Sequence, residues 1–210
     1  MKRRRISKGC LFIISAPSGT GKTSLAGRIL DTLPGIRESV SYTTRQMRAG
    51  EAQDVDYTFI TPEIFKHMLK GGEFLEWAQV HGNYYGTAKK RVEDILASGA
   101  DVLLDIDTQG AKQFRQQKLD GVYIFIFPPS LDELRRRLVK RSTDAPDVVE
   151  KRLARAIDEM KDFHFYDYVV INDDFETAFK DIESIIIARR LLTSGLNMTW
   201  LENTFLGKQT

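Results

Sequence analysis

The sequence predicts an α/β fold: a parallel sheet core with helices on both faces, a small mixed α+β insert and a short lid. Apolar runs typical of buried parallel strands alternate with helical patterns on either side of residues 39–97. Within residues 39–97 this alternation gives way to short β-like pieces rich in Thr, Arg and Gly. We therefore expect a core of residues 1–38 and 98–210, an insert of residues 39–97, and a lid at about residues 140–150.

Length and charge place the chain among ordinary globular proteins. Its 210 residues are enough for a substantial core, and 31 Lys and Arg against 29 Asp and Glu give a net charge of +2. The basic run at residues 2–5 is more typical of a solvated tail than of a nucleic-acid patch, and no apolar segment approaches the ~20 residues of a membrane span. The single cysteine, Cys10, lies in a buried-strand pattern. We expect a cytoplasmic protein with neither nucleic-acid nor membrane partners.

A glycine-rich turn joins the first apolar run, residues 10–14, to a helical pattern that includes Leu25 and Ile29. Strand, glycine-rich turn and helix start are the context of a phosphate-binding P-loop, because glycines let backbone N–H groups approach phosphate oxygens. Lys22 supplies a charge for terminal phosphates, and the Thr23 hydroxyl can ligate Mg²⁺. An ordinary turn with a surface lysine is the alternative. The predicted nucleotide-binding positions are Ala16, Pro17, Ser18, Gly19, Thr20, Gly21, Lys22 and Thr23.

The insert has its own order of elements. Short β pieces are expected at residues 39–44 and 56–60, followed by a helix with Thr61 as N-cap and Pro62 at its first position. That helix stops at Gly71-Gly72. A second β-rich stretch covers residues 74–80 and leads through residues 82–86 to a helix that closes at Gly99.

The α/β alternation then resumes. Strands are expected at residues 102–104, 123–127 and 168–171, and helices at residues 109–117, 131–139 and about 146–163. A last helix carries Phe179, Ile182, Ile186 and Ile187 and covers the sheet. Residues 191–210, with Trp200, form either a docked tail or an oligomer contact.

Two carboxylates, Asp105 and Asp107, are expected at the carboxyl end of a core strand, where open α/β sheets bind ligands. Because they are two positions apart, they would face the same side of that strand. They could hold Mg²⁺, accept hydrogen bonds from a substrate, or simply cap the next helix.

Arginines recur in two places. Arg45 and Arg48 lie in a loop, where two guanidinium groups could clamp a phosphate. Arg141, Arg152 and Arg155 lie at or after a segment with the composition of a mobile flap, and the first two could reach over a transferring phosphoryl group. By contrast, residues 135–137 are expected on the solvated face of their helix.

The insert also holds candidate acceptor-binding groups. Tyr57, Tyr84 and Tyr85 could donate hydrogen bonds to a phosphate, and Ser41 and Glu76 could contact a base. A carboxylate accepts two N–H bonds from the guanine edge, whereas adenine presents no such pair of donors.

Ordered motifs along residues 11–187 resemble the guanylate kinases, which phosphorylate GMP with ATP. The motifs are Ser18-Gly19-Thr20-Gly21-Lys22-Thr23, Ser41-Tyr42-Thr43-Thr44-Arg45, Arg48-Ala49-Gly50-Glu51, Asp56-Tyr57, Phe74-Leu75-Glu76-Trp77, Gly82-Asn83-Tyr84-Tyr85-Gly86-Thr87, Leu104-Asp105-Ile106-Asp107-Thr108-Gln109-Gly110, Pro128-Pro129-Ser130 and Val170-Ile171-Asn172-Asp173-Asp174.

The resemblance implies roles for the matching positions. Residues that would grip the GMP phosphate are Arg45, Arg48, Tyr57 and Tyr85, with Glu51 orienting the arginines. Ser41 and Glu76 would contact guanine, assisted by Thr87 and by Asp105 or Asp107. Lys22 and Thr23 would serve ATP and Mg²⁺, Asn172 would lie by the adenine, and Arg141 and Arg152 would be lid arginines. The implied catalytic residues are Lys22, Arg45, Arg141 and Arg152.

Three positions depart from the family pattern: Ala16 replaces a P-loop glycine, Met47 a proline, and Ser142 a glycine. A residue at a strand exit does not need positive φ, so we expect the Ala16 methyl group to be tolerated. The leading hypothesis is transfer of the γ-phosphoryl group of MgATP to GMP, with GMP and ATP as small-molecule substrates and an oligomer possible. The alternatives are a guanylate-kinase-like protein-binding module of weak activity and a kinase of a sugar phosphate.

Overall fold

The structure is a computed structural model that describes residues 8–80, 82–117, 119–141 and 146–207. The strands are β1 (Leu11–Ser15), β2 (Ile36–Glu38), β3 (Tyr42–Thr43), β4 (Thr58–Phe59), β5 (Phe74–Val80), β6 (Asn83–Ala88), β7 (Asp101–Asp105), β8 (Val122–Phe127) and β9 (Tyr168–Ile171). The α-helices are α1 (Lys22–Thr32), α2 (Pro62–Lys70), α3 (Lys89–Ala97), α4 (Thr108–Gln116), α5 (Leu131–Arg141), α6 (Pro146–Met160), α7 (Phe175–Arg190) and α8 (Met198–Phe205). Short 3-10 helices span Lys161–Phe165 and Thr193–Gly195.

A parallel five-stranded sheet with strand order β2-β7-β1-β8-β9 forms the core. Strand β1 is buried along its whole length, because helices cover both faces of the sheet. Residues of α1 and α7 pack on one face and residues of α3 and α4 on the other. The predicted fold class is confirmed.

A second sheet has the order β4-β3-β6-β5 and is mixed, with β3 and β4 parallel and the other pairs antiparallel. All four of its strands fall between residues 39 and 97. Phe65 stacks against both Phe74 and Tyr84, with ring centroids 4.4 and 5.2 Å apart. Leu75 packs into the same cluster as α4 and β7, so the second sheet shares a hydrophobic core with the first.

Several local expectations are confirmed and others are wrong. Strand β5 has the predicted bounds, and the Thr61 side chain accepts a hydrogen bond from the Ile64 N–H at the start of α2. The sequence pattern missed β2, whose three residues form an edge strand with only Ile36 buried. Ile187 was expected to cover the sheet, yet it is exposed, because α7 turns Ile182 and Ile186 inward instead.

A buried ion pair joins the end of α7 to the start of β7. Arg190 Nε donates to Asp101 Oδ2 at 2.6 Å, and the Cys10 N–H donates to Asp101 Oδ1 at 2.9 Å. Asp101 is fully buried, so these partners offset the cost of removing its carboxylate from water. None of the helices in the described ranges is long and apolar enough to cross a membrane.

Candidate active site

The glycine-rich turn at the carboxyl end of β1 has the backbone conformation that only glycine adopts readily. Gly19 and Gly21 have φ angles of +91° and +95°, and Gly21 is the N-cap of α1. A Cβ atom added at Gly21 would lie 2.6 Å from Asn172 Nδ2. Backbone N–H groups at the start of α1 are therefore presented to the space above the loop.

Ala16, the departure from the usual P-loop pattern, fits its position. Its side chain is buried and packs into the core cluster with α1 and α7. The only non-glycine residue with positive φ among those described is Asp54, so Ala16 carries no left-handed strain. The expectation that the methyl group is tolerated is confirmed.

Two side chains from later elements bind the P-loop backbone. Asn172 Nδ2 donates to the Thr20 carbonyl oxygen at 2.7 Å. Arg137 donates to the same oxygen at 3.3 Å and to the Asn172 carbonyl oxygen at 3.1 Å. The expectation that Arg137 lies on a solvated face is wrong. Its place three residues after buried Leu134, at the edge of the apolar stripe of α5, is the signal that could have identified it.

Glu133 completes this support. It accepts hydrogen bonds from Arg136 and Arg137, which lower the pKa of its carboxyl group to about 2. Because Glu133 stays ionised, it holds Arg137 beside the Thr20 carbonyl group.

Lys22 lies between two acceptors at the end of β7. Its Nζ donates to the Ile106 carbonyl oxygen at 2.7 Å and is 2.6 Å from Asp105 Oδ1. Both side chains are mostly buried, at 17% and 18% exposed. Asp105, predicted as a substrate-binding residue, is therefore the counter-ion of the P-loop lysine.

Asp107 differs from its predicted position. Strand β7 ends at Asp105, and Asp107 is the N-cap of α4, where Oδ1 accepts from the Gly110 N–H at 2.8 Å. The helix-capping alternative is thus confirmed. The chain leaves β7 at Asp105 and α4 begins at Thr108, so Asp107 occupies the N-cap position between them. Asp107 nevertheless also lines the cavity above the P-loop.

That cavity has a volume of about 840 Å³ and lies between the P-loop and α6. Arg152 reaches across it and donates to Ser18 Oγ at 2.9 Å. Arg141 ends α5, but its side chain and residues 142–145 lie outside the described part, as does much of the expected lid. The cavity-lining residues are Ala16, Pro17, Ser18, Gly19, Thr20, Gly21, Lys22, Thr23, Ser24, Asp107, Val148, Arg152, Arg155, Ala156 and Glu159.

The donor set suits Mg²⁺ held mainly by phosphates. Thr23 supplies a hydroxyl group and Asp107 a carboxylate on the same cavity, and Mg²⁺ commonly takes one or two protein oxygens plus substrate phosphates. In the described ranges, no group of three or more His, Cys, Asp or Glu side chains could hold a metal ion.

Glu76 is a buried carboxylate in the second sheet. Thr87, which is fully buried, donates its hydroxyl hydrogen to Glu76 Oε1 at 2.6 Å. The pKa of Glu76 is raised to about 7, mainly by burial; the hydrogen bond from Thr87 opposes this shift, and the nearby charge of Asp107 adds to it. A Cβ atom on Gly110 would lie 3.0 Å from Glu76 Oε2 and 3.4 Å from Asp107 Oδ1, so Gly110 lets the two carboxylates approach.

Gln113 holds the strand that carries Glu76, and no sequence pattern indicated this role. Its side-chain amide accepts from the Trp77 N–H and donates to the Trp77 carbonyl oxygen, at 3.0 and 2.8 Å. This pair fixes β5 against α4 directly beside Glu76. A lone glutamine on a helix gives no sequence signal of such a contact.

The loop after β3 gathers the predicted phosphate-binding groups. Arg45 Nη1 and Nη2 donate to Glu51 at 3.0 and 2.8 Å, and Glu51 also accepts from the Arg48 N–H at 2.8 Å. These bonds lower the pKa of Glu51 and raise that of Arg45. The Arg45 guanidinium lies 5.4 Å from the Tyr57 ring, which is 5.9 Å from Tyr85.

Arg48 and Ser41, the other two residues predicted to bind GMP, are close to this loop in the sequence. Arg48 is exposed, and the Ser41 carbonyl oxygen accepts from the Thr58 N–H at 2.9 Å, which ties β3 to β4. The structure thus groups Arg45, Glu51, Tyr57 and Tyr85, and places Glu76 with Thr87.

Comparisons with known proteins establish the family of the chain. The sequence model of the guanylate kinase family matches residues 8–189. A guanylate kinase of Geobacter metallireducens is 48% identical over 200 residues, covering 95% of this chain and 98% of that protein. One of Photorhabdus laumondii is 51% identical over 186 residues, covering 88% and 90%. The crystal structure of guanylate kinase from Anaplasma phagocytophilum superimposes with a TM-score of 0.75 at 34% identity, covering 98% of this chain and all of that one. The chain belongs to the guanylate kinase family.

Proposed function

We propose that the protein transfers the γ-phosphoryl group of ATP, bound with Mg²⁺, to GMP, giving ADP and GDP. The observation that carries the proposal is the approach of Glu76 to Asp107 across Gly110. It brings a carboxylate suited to guanine next to a cavity suited to a triphosphate. We place this reaction in purine nucleotide metabolism in the cytoplasm, as recycling of GMP.

On the donor side, backbone N–H groups of residues 18–23 would bind the phosphates of ATP. Lys22 would exchange Asp105 for a phosphate oxygen, and Arg152 would exchange Ser18 for another. Thr23 and Asp107 would hold Mg²⁺ directly or through water, and the ion would neutralise phosphate charge. Arg141 would add a further positive charge, and Asn172 would lie near the adenine while it holds the loop.

On the acceptor side, Glu76 in its ionised form would accept the N1–H and N2–H of guanine. Thr87 orients the Glu76 carboxylate through its hydrogen bond, and Ser41 would approach the same base. Arg45 and Arg48, oriented by Glu51, would bind the GMP phosphate with Tyr57 and Tyr85. Residues 39–97 would thus act as the GMP-binding insert.

The reaction requires little covalent chemistry from the protein. A phosphate oxygen of GMP would attack the γ-phosphorus in line as the bond to the β-phosphate oxygen breaks. Lys22, Arg45, Arg141 and Arg152 would position the two nucleotides and stabilise the charge that spreads over the transferring group.

Two alternatives remain testable. A sugar-phosphate kinase would not need the buried Glu76–Thr87 pair, since sugar hydroxyl groups are bound well by exposed polar side chains. A protein-binding module would not need the P-loop glycines and Lys22 together with the Arg45–Glu51 pair.

A coupled assay with ATP and a panel of acceptors tests the proposal. GMP should be phosphorylated, and the rates with AMP, UMP, CMP and a sugar phosphate should be much lower. Preference for another acceptor would overturn the assignment of GMP, and absence of phosphoryl transfer to any acceptor would favour the protein-binding module.

A further inference from the structure

We propose that Arg155 binds a phosphate group of the donor nucleotide and that Glu159 competes with that phosphate for the arginine. The inference deepens the proposed function, because it concerns the same triphosphate site. It names a residue that the sequence motifs did not assign.

The position of Arg155 is the first support. It lies three residues after Arg152 on α6, so both arginines share one face of that helix. Both line the 840 Å³ cavity together with the P-loop. Arg152 already reaches the loop through Ser18, so a side chain of the same length one turn later faces the same space.

The partner of Arg155 is the second support. Its Nε donates to Glu159 Oε1 at 2.9 Å, one helical turn further along. Arg155 is 64% exposed and Glu159 only 17%. Because the Arg155 side chain is largely exposed, water weakens its ion pair with Glu159, and the arginine can turn from the carboxylate to a phosphate. An arginine–phosphate contact, by comparison, is charge-assisted and forms two parallel bonds.

Charge balance makes the pair functionally relevant. Glu159 is a carboxylate on a cavity that is proposed to receive a polyanion. Left alone it would repel the nucleotide, so Arg155 must either bind a phosphate or merely neutralise Glu159. These two roles predict opposite behaviour in a double-mutant cycle.

The test compares R155Q, R155K, E159Q and R155Q/E159Q. The readouts are the affinity for ATP without acceptor, by titration calorimetry, and the KM values for ATP and GMP.

R155Q should weaken ATP binding and raise the KM for ATP by roughly 10-fold, as expected for loss of a charge-assisted contact, with the KM for GMP unchanged. R155K should fall between R155Q and the unmodified protein, because an ammonium group cannot form the two-bond contact. E159Q should tighten ATP binding about 2- to 3-fold by removing the competitor.

The double variant decides between the two roles. If Arg155 binds phosphate, R155Q/E159Q should show most of the loss of ATP affinity that R155Q shows. If Arg155 only neutralises Glu159, the double variant returns to the ATP affinity of the unmodified protein, and the inference is overturned.

R135Q is the matched control. Arg135 pairs with Glu150 at 3.0 Å, both about half exposed, and neither lines the cavity. R135Q should leave ATP affinity unchanged, and equal effects of R135Q and R155Q would also overturn the inference. An equal rise of both KM values in R155Q would do the same, since it would indicate a general disturbance of α6. If the unmodified protein fails to phosphorylate GMP, the proposed function fails, whereas the calorimetric ATP titrations still test Arg155 by themselves.

Discussion

The Thr87 hydroxyl group donates a 2.6 Å hydrogen bond to Glu76 Oε1, and both side chains are buried. Burial, with a smaller contribution from the charge of Asp107, raises the pKa of Glu76 to about 7 despite this bond. Near neutral pH, therefore, Glu76 is poised between a protonated form and the carboxylate that guanine requires.

The KM for GMP should depend on pH through Glu76. Guanine N–H donors bind the carboxylate, so protonation of Glu76 below pH 7 competes with the base. Between pH 8 and pH 6 this protonation should raise the KM for GMP by roughly 10-fold, as expected for a group with a pKa of about 7. Steady-state kinetics over this range measures the effect.

Protonation of the GMP phosphate, which has a pKa of about 6, also weakens GMP binding at low pH. E76Q is the control, because it should have a high KM throughout and keep only the phosphate contribution, about 2-fold at pH 6. E76Q should also discriminate poorly against AMP, since an amide cannot accept both guanine N–H groups. Identical pH profiles for the two proteins would contradict the assignment.

The same raised pKa has a consequence for stability. In the unfolded chain the pKa of Glu76 is near 4.5, and in the folded protein it is about 7. Below pH 4.5 both states are protonated and no stability is lost. As pH rises from 4.5 to 7, the unfolded state releases the proton first, so the free energy of unfolding falls by roughly 3 kcal/mol in total.

E76Q cannot ionise, so its stability relative to the unmodified protein should rise with pH across this window. Urea unfolding at pH 4.5 and pH 8 measures the difference, and parallel profiles would contradict it.

G21A should displace the P-loop. A methyl group at Gly21 would combine positive φ with a 2.6 Å approach to Asn172 Nδ2, which is bonded to Thr20. A shift of about 1 Å at such a site costs about 100-fold, so we expect a loss of that order in kcat/KM for ATP.

G99A is the matched control for G21A. Gly99 also has positive φ, +80°, but nothing lies within 4 Å of its added Cβ atom. G99A should therefore cost about 1 kcal/mol of stability and leave the KM for ATP unchanged. Similar kinetic losses in both variants would show that backbone strain alone, and not contact with Asn172, is responsible.

E51Q should weaken GMP binding specifically. Glu51 accepts two bonds from Arg45 and one from the Arg48 N–H, and an amide cannot retain all three. We expect the KM for GMP to rise about 10-fold while the KM for ATP stays constant.

E93Q serves as the control for E51Q, because Glu93 is half-exposed on α3 and its ion pair with Lys89 is long, at 4.0 Å. E93Q should behave as the unmodified protein in both KM values. A rise of both KM values in E51Q would indicate a general disturbance of residues 39–97 instead of a loss at the GMP phosphate.

Much of the fold follows from local pattern. The bounds of β5 and β9 and the start of α2 at Thr61 were predicted, since alternation, apolar runs and capping residues are set by neighbours in the chain. Strand β2 was missed because three residues with one buried side chain carry too little periodicity. Asp107 was expected at the carboxyl end of a strand but lies two residues beyond the end of β7, since the end of a strand depends on its pairing with neighbouring strands and not on local residue types alone.

The sequence by itself determined the P-loop, the family and the order of all but the shortest elements of the core sheet, because each depends on residue types at fixed spacing. Only the tertiary structure decided that Arg137 and Asn172 hold Thr20, that Asp105 pairs with Lys22, and that Glu76 is buried beside Asp107. These relationships join residues that are far apart in the chain, where spacing carries no information. The charge state of a group such as Glu76 depends on the solvent and the charges that the folded chain places around it.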